Sequence, residues 1–149
     1  MISISVLRVS GSISSLKMDK REERLIPFVF ITLFFVMTTY LFIIKVGVND
    51  LVAVIFISTT LLLVLLTLIT IVYKISIHSA GMSGVVGYLL ALCWQYPGSE
   101  LIYPMLGVIM LSGVVMSARL QLDAHQPKEI LAGFALGFAI CFAAIYWFV

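Results

Sequence analysis

"LVAVIFISTTLLLVLLTLITIVY", residues 51–73, contains no charged side chain. At 1.5 Å of rise per residue a helix over it would run ~35 Å, enough to cross the ~30 Å of hydrocarbon in a bilayer. Four further charge-free segments flank it, at 27–44, 79–99, 101–118 and 130–149. Each is long enough to span. Only a backbone that satisfies its own hydrogen bonds survives in lipid, so all five are expected to be helices. The composition agrees: 62% hydrophobic and 11% charged, with a mean hydropathy of +1.20. A water-soluble domain of 149 residues could not hide that much apolar surface.

These segments make the chain a single domain, 1–149, an all-α membrane protein built as a bundle of about five transmembrane helices. Residues 1–26 read as an interfacial N-terminal segment. "MISISVLRVSGSISSLK" at its start is too short and too polar to span, and it lacks a signal-peptide cleavage pattern. A net charge of +2, with no basic face bearing interleaved aromatics, argues against a nucleic-acid partner. Cys93 and Cys141 lie in separate apolar runs, which predicts no disulfide. Gly81, Gly84, Gly87, Gly107 and Gly113 offer close helix packing in the third and fourth segments. Trp94, Tyr146 and Trp147 fall near segment ends, where interfacial aromatics sit. Pro27 and Pro127 suit the first turn of a helix.

Alternating the spans across a membrane brings three connectors to one face: "KMDKREERLIP" (17–27), "KISIH" (74–78) and "ARLQLDAHQPKE" (118–129). Both histidines lie on that face, with eight of the nine Lys and Arg residues. Lys17, Arg24 and Arg119 offer cationic donors, and the arginine fork suits phosphate oxygens. Of His78 and His125, one could attack as a nucleophile while the other protonates a leaving group. Glu129 follows His125 by one helical turn and could orient its imidazole. Phosphoryl transfer needs mainly such a set: charge neutralisation, a nucleophile and an acid.

At these positions the chain resembles the type 2 phosphatidic acid phosphatase (PAP2) superfamily, whose motifs are KxxxxxxRP, PSGH and SRxxxxxHxxxD. Lys17 and Arg24 match the first, with its proline displaced to Pro27. Ser76 and His78 match the second. Arg119 and His125 match the third, with Glu129 in place of its aspartate. The resemblance implies that Lys17, Arg24, Ser76 and Arg119 hold a substrate phosphate. It implies a phosphohistidine on His125, His78 as general acid, and Glu129 orienting the nucleophile. It further implies a lipid phosphate or diphosphate as substrate, no metal and no cofactor, and a multi-pass place in the cell membrane, the inner membrane of a bacterium. The Lys and Arg excess argues for a cytoplasmic site, whereas bacterial members of the family resemble outward-facing enzymes. Three departures stand out: Ile75 for proline, Ile77 for glycine and Ala118 for serine. The usual six-helix core is also one helix short. Two other readings compete. One is a non-catalytic phosphate-lipid binder or structural membrane protein of the same fold. The other is a metal site from His78, Asp123, His125 and Glu129, disfavoured because the arginines would repel a cation.

Overall fold

The architecture follows from five helices that a computed structural model describes over residues 21–149, with side chains from residue 25 onward. Helix α1 spans Arg21–Tyr40 and continues as a π-helical turn, Leu41–Val46. Helices α2 (Asp50–Val72), α3 (Ile77–Gln95), α4 (Ile102–Gln121) and α5 (Pro127–Phe148) follow. All five are long and apolar enough to cross a membrane, the first over Leu25–Val46. The protein is therefore a multi-pass, all-α membrane protein, as the charge-free segments require.

Helix ends depart from the charge-free limits because caps, not hydropathy, set them. Asn49 caps α2 by accepting the Val52 N–H at 2.9 Å. Helix α3 starts at Ile77 behind the N-cap Ser76 and stops at Gln95, before the Pro97–Gly98 turn, where Gly98 has φ 99°. Helix α4 runs past Arg119 to Gln121, and α5 takes Lys128 and Glu129 into its first turn. Pro127 holds the first-turn position expected of it. Pro27 does not. Helix α1 begins six residues earlier and carries Pro27 inside it, because "REERLI" is itself good helix-forming sequence.

Helices α1 and α2 form an antiparallel hairpin tied by two hydroxyl pairs, Thr32–Thr67 at 2.8 Å and Thr39–Thr60 at 2.7 Å. In lipid, where tails are as apolar as side chains, such hydrogen bonds and close packing hold helices together. The register pairs residues whose numbers total 99, which brings Pro27 level with Val72, the last residue of α2. The α1 start thus shares a membrane face with the α2–α3 connector. Tyr88 of α3 ties back to α2, its hydroxyl 2.7 Å from Ser58 Oγ and 2.9 Å from Thr59 Oγ1.

The most intimate contact joins α3 and α5, which run parallel. Gly133 lies against the Ser76 carbonyl, Gly137 against that of Ala80, and Gly84 against Cys141 Sγ, a constant offset of 57 residues at four-residue steps. A methyl group at Gly133 or Gly137 would collide with a backbone carbonyl. Of the glycines marked in the sequence, only Gly84 and Gly87 serve this contact. Gly81, Gly107 and Gly113 face open space. Leu62 and Leu66 of α2 close the core with Ile75, Ala80 and Cys141. Helix α4 packs chiefly on α3. Trp94 and Trp147 are exposed on one membrane face, opposite the histidines.

Candidate functional site

Two staples fix the α2–α3 connector and the first turn of α3 to the first turn of α5. The Ser76 N–H donates to the Glu129 carbonyl at 3.2 Å, and the Ser79 hydroxyl donates to the Ile130 carbonyl at 2.5 Å. Buried Ile75 anchors the connector in the core, with Ile77 packed at its edge. These are the isoleucines that depart from the PSGH pattern, and their burial gives them a packing role. Together the staples and the core hold His78, near the start of α3, beside the loop that carries His125. Both imidazoles lie within range of each other's charge.

The loop itself is a built turn. Helix α4 ends in a Schellman arrangement: the Asp123 N–H donates to the Leu120 carbonyl at 3.0 Å and the Ala124 N–H to the Arg119 carbonyl at 3.1 Å. Asp123 occupies the left-handed position, φ 48°, which glycine adopts without steric cost. Asp123→Gly is therefore expected to stabilise the fold by about 1 kcal/mol; denaturant titration in detergent micelles measures it, and a clear loss of stability would contradict the turn. Helix α5 then starts behind its N-cap Gln126. The Gln126 N–H donates to Glu129 Oε2 at 3.1 Å, one arm of a capping box.

That same carboxylate oxygen lies 2.9 Å from His125 Nδ1. An ionised carboxylate only accepts, so Nδ1 carries the proton in this pair, and in the neutral ring Nε2 carries the lone pair. Glu129 is almost wholly buried, at 7% exposure, so the pair is shielded from water. Glu129 thus has two jobs, as a helix cap and as the partner that fixes the imidazole tautomer.

A second pair stands beside the first. Arg119 Nη2, in the last turn of α4, is 2.5 Å from His78 Nε2. A guanidinium has no acceptor, so His78 Nε2 accepts here and bears no proton. His78 is exposed at the membrane face, and Arg119 is half-buried.

A recess of about 510 Å³ opens at this face, lined by Lys74, Asp123, His125, Gln126 and Glu129 among others. His78 and Arg119 form their pair on the same membrane face but outside the lining of this recess, which holds the His125–Glu129 pair. Ser76 is different. It is fully buried, it accepts the Ser79 N–H at 3.4 Å, and it does not line the recess. Lys17, and the side chain of Arg24, lie outside the described residues. Among the described residues no three His, Cys, Asp or Glu side chains gather as a metal-binding group. Lys74 lines the recess unforeseen. In sequence it is only a lysine after an apolar run, and its one signal is its place four residues before His78. No protein-family model matches this chain, and neither a curated protein nor a solved structure matches it.

Proposed function

We propose that this protein is a membrane-embedded phosphatase that hydrolyses a lipid phosphate or diphosphate through a phosphohistidine on His125, in the manner of the PAP2 superfamily it resembles. The observation that supports this reading is the pair of histidines at one membrane face. One is tied to a carboxylate through Nδ1 and the other to a guanidinium. In the proposed reaction the His125 Nε2 lone pair attacks phosphorus, and the bond from phosphorus to the leaving oxygen breaks. His78 gives that oxygen a proton. Water then attacks the phosphohistidine, and the N–P electron pair returns to Nε2. His78 takes the proton from the water, and inorganic phosphate leaves. Resting His78 cannot donate from Nε2 while Arg119 holds it. A phosphate that engages the guanidinium frees that nitrogen to carry the proton.

This role makes Arg119 a phosphate ligand, and its planar fork matters more than its charge. Arg119→Lys is expected to weaken inhibition by orthovanadate about tenfold or more, since each charge-assisted hydrogen bond is worth about 1.5–3 kcal/mol. Equal inhibition of the two proteins would remove Arg119 from the site.

The resting His78–Arg119 pair, in which His78 Nε2 bears no proton to give a leaving group, favours a second reading, a binder of phosphate lipids that does not turn them over. One experiment separates the two: phosphate release by the purified protein over a panel of lipid phosphates and diphosphates, with parallel vesicle binding. Release supports the phosphatase. Binding to phosphate-lipid vesicles without release from any member supports the binder.

A further inference from the structure

We infer that Lys74 is a ligand of the phosphoryl group that His125 attacks, a position the family motifs do not supply. The inference rests on the phosphatase reading and goes beyond it. Phosphoryl transfer concentrates negative charge next to the nucleophile, and a cation there is needed to neutralise it. Arg119 stands at His78. Among the described residues Lys74 is the only Lys or Arg lining the recess that holds His125 and Glu129.

The position of Lys74 is built rather than incidental. It lies between extended Tyr73, φ −135° and ψ 136°, and two buried residues, Ile75 and Ser76. Ser76 is stapled to the Glu129 carbonyl, so the backbone two residues from Lys74 is tied to the turn that bears the nucleophile's partner. Lys74 is half-buried. Its charge reaches Glu129, yet its ammonium makes no hydrogen bond or ion pair among the described residues. No described residue takes any of its three N–H donors.

Neither acid of the recess forms an ion pair with this cation. Glu129 Oε2 already receives His125 and the Gln126 N–H, and Asp123 is exposed, so its charge is solvated. The competing explanation is a lysine that snorkels to the interface. Such a lysine would set topology and leave anion binding unchanged.

The test is binding of inorganic phosphate to the purified full chain in detergent, followed by calorimetry. The wild type, Lys74→Gln, Lys74→Arg and Lys45→Gln, on the opposite face, are compared. Loss of one charge-assisted contact should weaken phosphate binding of Lys74→Gln about tenfold. Lys74→Arg should restore most of it, and Lys45→Gln should match the wild type. Wild-type affinity in Lys74→Gln overturns the inference and leaves the phosphatase reading standing. Equal weakening in Lys74→Gln and Lys74→Arg also overturns it, because a retained charge would then not matter. Absence of phosphate binding by the wild type itself overturns both.

Discussion

His125→Ala is expected to abolish phosphate release from every substrate, by a factor on the order of 10⁴ or more, the scale seen when a covalent nucleophile is removed. The variant should keep its fold. His125 is in the loop, and the α4 turn and the α5 cap are made by backbone groups and by Glu129. Thermal unfolding near the wild-type midpoint would verify this. Glu129→Gln sharpens the result, because glutamine also serves a capping box. It should leave α5 in place and lose only the carboxylate that orients His125. Release should then fall steeply with little change in stability. A phosphoenzyme should form on His125 in the wild type and be absent from His125→Ala. Release at the wild-type rate by His125→Ala would falsify the catalytic role.

The second large effect is structural. Gly137→Ala should destabilise the bundle by about 3 kcal/mol or more, the upper range for overpacking. The added methyl would fall on the Ala80 carbonyl oxygen, which has no rotamer with which to escape. Moving α5 away would break the staples at Ser76 and Ser79. Gly107→Ala is the matched control. It faces open space, so it gains helix propensity and should be neutral or stabilising by up to ~1 kcal/mol. Denaturant titration of both variants in the same detergent decides the matter. Equal stability would contradict the parallel α3–α5 contact. Since that contact carries His78 to His125, Gly137→Ala should also weaken phosphate binding.

How much of this was legible beforehand differs from residue to residue. The spans were legible because hydrocarbon excludes charge, so each charge-free run reports its lipid contact directly. Their ends were not. Arg119, Lys128 and Glu129 look like loop residues by charge, yet they belong to helices, because the Asp123 turn and the Gln126 cap set the limits. The His125–Glu129 pair was readable as an i, i+4 spacing, since the helix places such residues on one face. Arg119 beside His78 followed only loosely, from the alternation that returns both to one side. Pro27 misled, because proline within a helix-forming stretch resembles proline at its start.

By itself the sequence determined a helical membrane protein, with five spans over the described residues, and the face on which its polar side chains gather. Bilayer thickness and the cost of dehydrated backbone allow little else. The tertiary structure decided which small residues meet. It drew Gly133 and Gly137 against α3 and left Gly81, Gly107 and Gly113 outside. It also sealed the Ser76 hydroxyl and brought Lys74 to the recess of His125. Those outcomes depend on the rotation and relative height of neighbouring helices. Both are set by contacts between residues about fifty positions apart, which the hydropathy pattern of a single helix does not encode.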